Sequence, residues 1–146
     1  MDKEFETGLA IALKKMRNAE CFESEIRGLL AAYPASTVDQ VIGHLQQKSL
    51  LNDLRAAESV VRYRSGKRLI SNRALTVQLT ERGASQETIE KVLGSAEDEM
   101  VQLGELLASR YQPSDHPGKA GRFLYTRGFS DDQIETALES YFGVIV

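Results

Sequence analysis

The chain has no tryptophan, one cysteine, three prolines and two histidines in 146 residues. A single cysteine, Cys21, excludes an internal disulfide and argues against a cysteine-ligated metal site. His44 and His116 lie far apart in the chain, which gives neither a neighbouring metal ligand nor a partner for nucleophilic chemistry. There is no HExxH, no glycine-rich phosphate loop and no carboxylate pair set in an apolar pocket, so no enzyme class is supported. No apolar run approaches the length of a membrane span, and the acidic start MDKEFE lacks the basic, then apolar, pattern of a signal peptide. A cytosolic protein is expected, with no cofactor and no metal. The scarcity of proline, together with abundant Leu, Ala, Glu, Gln, Lys and Arg, favours helices, and no convincing strand pair is found.

Charge is what the chain has unevenly. The net charge is −3, yet residues 61–82 carry six Lys or Arg against one acid, while residues 83–146 carry five against eleven. An acidic total argues against general affinity for nucleic acid, while the middle segment leaves room for a local basic face.

Apolar residues recur at helical spacing along the whole chain. Expected helices run from about Glu4 to Arg17, from Phe22 to Ala32, from a Ser36 cap through Leu45, and from Leu54 to Arg64. The fifth starts at Ser71 or Asn72 and ends at Arg82, and a Ser85 cap opens the sixth. The acidic stretch Glu97-Asp98-Glu99 leads into a seventh helix carrying Met100, Leu103, Leu106 and Leu107. QPSDHPG, Gln112 to Gly118, is a loop. Two further helices meet at Gly128. Ser130 is expected to cap the last one with Gln133 in a capping box, and Phe129 and Ile134 are spaced as a hydrophobic staple. The apolar tail from Tyr141 to Val146 either folds back or meets a partner.

The corner at Gly128 occurs twice. Leu79 to Leu93 reads LTERGASQETIEKVL and Leu124 to Leu138 reads LYTRGFSDDQIETAL; 7 of 15 positions match at an offset of 45 residues. The matches include the corner glycine, the cap serine and the inward Ile and Leu, which are the positions a helix–corner–helix needs. A weaker copy at Leu30 to Leu45 replaces the glycine with Tyr33-Pro34. The expected architecture is all-α: three tandem three-helix units, residues 1–51, 52–97 and 98–146, stacked in an elongated, curved array in which neighbours complete one another's cores.

The three-unit order, the segment LLNDLRAAESVVRYR and the ending FLYTRGFSDDQIETAL together resemble the RecX family of recombination regulators, over roughly Leu9 to Leu138. The family usually shows Phe where this chain has Ala56, Gly where it has Ser49 and Gly near Ser71. The resemblance implies a regulatory protein that binds the RecA recombinase filament on single-stranded DNA and mainly inhibits its ATPase and strand exchange. It implies no catalysis by this chain. A monomer is expected.

The basic residues are the candidate contacts: Arg62, Arg64, Lys67, Arg68 and Arg73, with Lys119 and Arg122 as a second group. They would meet acidic side chains of the recombinase or DNA phosphates. Against this stands the plainer account of a solvated helix face. Arg82 is placed well to complement a helix C-terminus. Tyr63, between arginines, suits stacking on a base or a partner, but a half-buried tyrosine explains it as well. The alternative function is a small nucleic-acid-binding module acting directly on DNA through residues 62–73. A scaffold for another protein, contacting it through the apolar tail, is a third.

Overall fold

A computed structural model describes residues 2–143. Among them are nine α-helices and one 3-10 turn, with no strand. In order they are α1 (Lys3–Met16), α2 (Glu23–Leu29), α3 (Ala35–Gln47), α4 (Asp53–Tyr63), the 3-10 turn (Gly66–Arg68), α5 (Asn72–Arg82), α6 (Gln86–Val92), α7 (Ala96–Arg110), α8 (Pro117–Thr126) and α9 (Asp131–Phe142). The all-α expectation and the number of helices hold.

Several ends differ from the sequence expectation, for local reasons. α2 stops at Leu29, one turn before Ala32, where the chain must extend into Tyr33-Pro34. Pro34, with an extended ψ of 146°, precedes α3, so Ser36 falls inside the first turn instead of capping it. Glu97, Asp98 and Glu99 form the first turn of α7 behind a Ser95 cap, where their charge meets the positive end of the helix dipole. The cap at Ser130 is as expected: its Oγ accepts from Gln133 N–H at 3.2 Å and Gln133 Oε1 accepts from Ser130 N–H at 3.0 Å. Asn52, Ser71 and Ser85 likewise accept from the first turns of α4, α5 and α6.

Packing gathers the chain into two compact units. One comprises residues 1–60 and 79–92, the other residues 61–78 and 93–146. In the first, α1 and α2 pack on α3. Its core holds Phe5, Ile26, Leu30, Val41, Ile42 and Leu45. Cys21 belongs to it, and burial pushes its thiol up, as expected of an inert small apolar residue. His44 stands edge-on to the Phe5 ring. In the second unit, α7 and α8 pack on α9. Its core holds Leu69, Leu103, Leu106, Leu107, Leu124 and Phe129. Each fully buried leucine or phenylalanine contributes about 1.5–3 kcal/mol by leaving water.

The repeat is visible in the backbone. At the first corner Gly83 N–H donates to Thr80 O and Ala84 N–H to Leu79 O, both at 3.0 Å. At the second, Gly128 N–H donates to Tyr125 O at 3.0 Å and Phe129 N–H to Leu124 O at 3.3 Å. The glycines have φ of 99° and 87°, where an L side chain is strained. A further left-handed corner ends α3 at Ser49, φ 59°, with Leu50 N–H donating to Leu45 O. The weak copy at Tyr33-Pro34 makes no such corner.

Tyr141 and Phe142, the start of the apolar tail, form the last turn of α9 and fold back. The Tyr141 hydroxyl donates to Tyr111 O, and both rings belong to the edge of the second core. Val144, Ile145 and Val146 lie outside the described residues.

Candidate interaction surface

The Gly128 corner is what positions the basic segment. A glycine there lets the backbone approach α5 closely: a Cβ at Gly128 would stand 2.8 Å from both Ala74 Cβ and Ser71 Oγ. Ser71 N–H then donates to Arg127 O at 2.9 Å, and Arg73 reaches Gly128 O at 3.4 Å. Arg127 returns the contact, donating from Nη1 to Lys67 O at 3.0 Å and Leu69 O at 2.8 Å. The 3-10 turn and the start of α5 are thereby fixed to the α8–α9 corner. Glu99 adds a second tie: buried on α7, it accepts from Asn72 N–H at 2.6 Å and from Gln133 Nε2 at 2.8 Å.

All seven basic residues singled out in the sequence fall in this second unit. Arg64 and Arg68 come together, with Cζ atoms 5.6 and 4.9 Å from the Tyr63 ring centre. Arg62 and Arg64 line one cleft with Asn72, Glu99 and Gln102. Lys67 lines another with Ser65, Gln102 and Glu105. Arg73 is exposed on α5. Lys119 and Arg122 stand apart from that group, in a bowl with Tyr111, Asp115 and His116. His116, expected as a loop residue, caps α8 by accepting from Gly118 N–H at Nδ1. Tyr63 is 59% exposed.

Arg82 is not part of this surface. In the first unit it pairs with Glu25 at 2.9 Å, donates to Glu20 O at 3.2 Å and lies over the Phe22 ring at 5.0 Å. Its role is structural, through these three contacts rather than the helix end alone.

Two arginines that sequence reasoning passed over or grouped elsewhere complete the picture. Arg110 and Arg127 have Cζ atoms 4.0 and 4.5 Å from the centre of the Phe123 ring. Arg110 was detectable only as a basic residue closing α7 beside Tyr111. Arg127 follows Lys119 and Arg122 closely in the chain, but its side chain turns to the 3-10 turn. Burial, then the like charges of Arg110 and Arg64, push the Arg127 guanidinium below its ordinary value. Among the described residues, every ion pair within 4.0 Å uses Arg27, Arg55, Arg82 or Lys91, all in the first unit. None of the basic residues of the second unit has a carboxylate partner among them.

No family model matches this chain, and no curated protein matches it. Two solved structures resemble it. RecX from Lactobacillus salivarius is 23% identical, with a TM-score of 0.73, and the match covers 97% of this chain and 98% of that one. A second structure, of a regulatory protein RecX, is 20% identical with a TM-score of 0.69, over 94% of this chain and 72% of the other. The order and packing of helices are therefore shared over almost the whole chain: this protein has the RecX fold.

Proposed function

We propose that this chain is a RecX-type regulatory protein that binds the RecA recombinase filament on single-stranded DNA and restrains its ATP hydrolysis and strand exchange. The observation that carries this reading is the fold correspondence over nearly the full length of both chains, 97% and 98%. A shared fold can host different functions, so the site must bear part of the argument. The second unit supplies it: basic side chains with no acidic partner among the described residues, held in place by the Gly128 corner. In this reading Arg62, Arg64, Lys67, Arg68 and Arg73 form the main contact, and Lys119 and Arg122 a separate one. Desolvated arginine–carboxylate pairs give specificity because the planar fork matches a carboxylate in two bonds.

The protein acts as a regulator and not an enzyme; any ATP turnover it changes belongs to the recombinase. It works as a monomer in the cytoplasm. The 45-residue offset of the two glycine corners supports three successive three-helix units, at residues 1–51, 52–97 and 98–146.

The test is the ATPase rate of a recombinase filament at fixed, saturating single-stranded DNA, with increasing amounts of this protein. The rate is expected to fall, and charge reversal of Arg64, Lys67 and Arg68 together to abolish the fall. Circular dichroism on the same variant establishes that its helices are intact. An unchanged rate with the natural protein overturns the regulatory reading. Undiminished inhibition by the folded triple variant overturns the assigned surface.

A further inference from the structure

The loop from Gln112 to Gly118 and the start of α8 enclose a bowl of about 550 Å3, lined by Tyr111, Asp115, His116, Gly118, Lys119 and Arg122. All six belong to the second unit. The loop's own bonds fix where the polar groups stand. Gln112 N–H donates to Asp115 Oδ2 at 2.8 Å, and Asp115 N–H to Gln112 O at 2.9 Å, which holds the carboxylate on the loop. Gly118 N–H donates to His116 Nδ1 at 3.1 Å, so the neutral ring carries its proton on Nε2, which is left as a donor. Gly118 leaves the room in which these groups gather: a Cβ there would stand 3.1 Å from His116 Nδ1 and 3.7 Å from Arg122 Nη1. Lys119 and Arg122 are three residues apart on α8 and share a face. Edge contacts to Phe123 and Phe142 fix the Tyr111 ring.

Opposite charges face this bowl without closing on one another. Among the described residues no carboxylate lies within 4.0 Å of Lys119 or Arg122, so Asp115 shares their cavity but does not pair with them. A cavity of this size with a few convergent polar groups has the form of a small-molecule site. Its occupant has to offer anionic oxygens to Lys119, Arg122 and His116 Nε2–H, and a hydrogen-bond donor to Asp115. A phosphomonoester has three terminal oxygens and a charge of about −1.5 to −2 at pH 7, which the two cations match. A phosphodiester, like the carboxylate of an amino acid, has two such oxygens and a single charge.

We infer that this bowl binds a small phosphorylated sugar, with the phosphate on Lys119, Arg122 and His116 and a sugar hydroxyl on Asp115. This goes beyond the recombinase reading: it assigns Asp115 and His116 a ligand and requires no partner protein. The arginine fork meets two phosphate oxygens in its own plane, and the lysine ammonium meets the third as a point charge. Tyr111 supplies an apolar wall for the C–H face of the sugar. Asp115 repels a bare phosphate and favours one that brings a hydroxyl with it, because a charged acceptor makes the stronger hydrogen bond. Preference for the phosphorylated sugar over either of its parts follows from opposite signs on two sides of one cavity.

The test is amide NMR of the full, nitrogen-15-labelled chain titrated with ribose 5-phosphate, without recombinase. Asp115, His116, Lys119 and Arg122 are exposed, so affinity is modest, with a dissociation constant on the order of 1 mM. Saturable shifts are expected at the amides of Asp115, Gly118, Lys119 and Arg122, while the rest of the spectrum reports the fold. Ribose alone shifts none of them, and inorganic phosphate binds about fivefold more weakly for want of the hydroxyl contact. Arg122→Gln weakens ribose 5-phosphate about tenfold. Asp115→Asn keeps an acceptor for Gln112 N–H but removes the charge; it tightens inorganic phosphate and narrows the preference for the sugar phosphate. The inference is overturned if no saturation is reached by about 10 mM, tenfold above the expected constant, or if a folded Arg122→Gln variant binds undiminished. Equal affinity for inorganic phosphate and ribose 5-phosphate also overturns it, marking an unselective anion site. So does saturation of the same amides by free alanine but not by the sugar phosphate, which would assign the bowl to an amino acid. Because no recombinase is present, failure here leaves the ATPase result standing, and the reverse also holds.

Discussion

Replacing Gly128 with alanine should destabilise the second unit by about 3 kcal/mol, and replacing Ser49 with glycine should stabilise the first. Both substitutions act on the same backbone shape. At Gly128, φ is 87° and an L side chain costs roughly 1–2 kcal/mol in that region. The new Cβ would also meet Ala74 Cβ and Ser71 Oγ at 2.8 Å, contacts that force the corner away from α5. Overpacking of this kind costs roughly 1–3 kcal/mol. Ser49 already carries the conformational strain, with φ 59° and a side chain present. Glycine there recovers roughly 1–2 kcal/mol of strain and gives back roughly 0.4–1 kcal/mol to the freer unfolded chain. The net gain is about 0.5–1 kcal/mol. Urea unfolding followed by circular dichroism at 222 nm measures both, and thermal unfolding checks them at about 2–4 °C per kcal/mol for a chain of this size. A Gly128→Ala variant within ~0.5 kcal/mol of the natural protein would refute the close-approach argument. Ser49→Gly that destabilises would refute the claim that the two corners share one strain.

Arg82→Gln should cost the first unit about 2 kcal/mol, combining a partly exposed ion pair, a bond to Glu20 O and the ring contact with Phe22; urea unfolding reads it, and a loss below ~0.5 kcal/mol contradicts the structural role. Burial pushes the Glu25 carboxyl up, but the Arg82 hydrogen bond, the Phe22 N–H and the Arg82 charge overcome it and hold it below its ordinary value. Its contribution is therefore complete above the unfolded-state value near pH 4.3 and is lost as pH falls through the lower folded value. Glu25→Gln should flatten the acid limb of stability against pH. Asp53 behaves in the opposite sense: burial first, then Glu23 and Glu25, raise its carboxyl despite the bond from Glu23 N–H. Asp53→Asn keeps an acceptor for that N–H and should be more stable than the natural protein at pH 7, with the advantage shrinking as acid protonates Asp53; an advantage that persists at low pH would sink this account.

Helix identity was legible because it depends on local order: apolar spacing, a cap serine and a corner glycine all act within a few residues. The acids of α7 show the limit of this. Glu97, Asp98 and Glu99 read as a lead-in because nothing local distinguishes an acidic linker from an acidic first turn until Ser95 is seen to cap it. The basic segment from Arg62 to Arg73 was legible as a concentration of charge. Its arrangement was not, because an arginine side chain is long enough to serve contacts in several directions. Arg82 and Arg127 occupy matched positions in the repeat, yet one finds Glu25 and the other finds Lys67 O and Leu69 O.

The sequence alone determined that this chain is helical, that one corner recurs, and where positive charge accumulates, since each follows from residue type and short-range spacing. Only the tertiary structure decided which arginines are neutralised and which are not. That depends on what a folded neighbour presents to each corner: acids before α2, bases before α5. The sequence could therefore place the device twice, but it could not say that the second copy lacks its counter-charge.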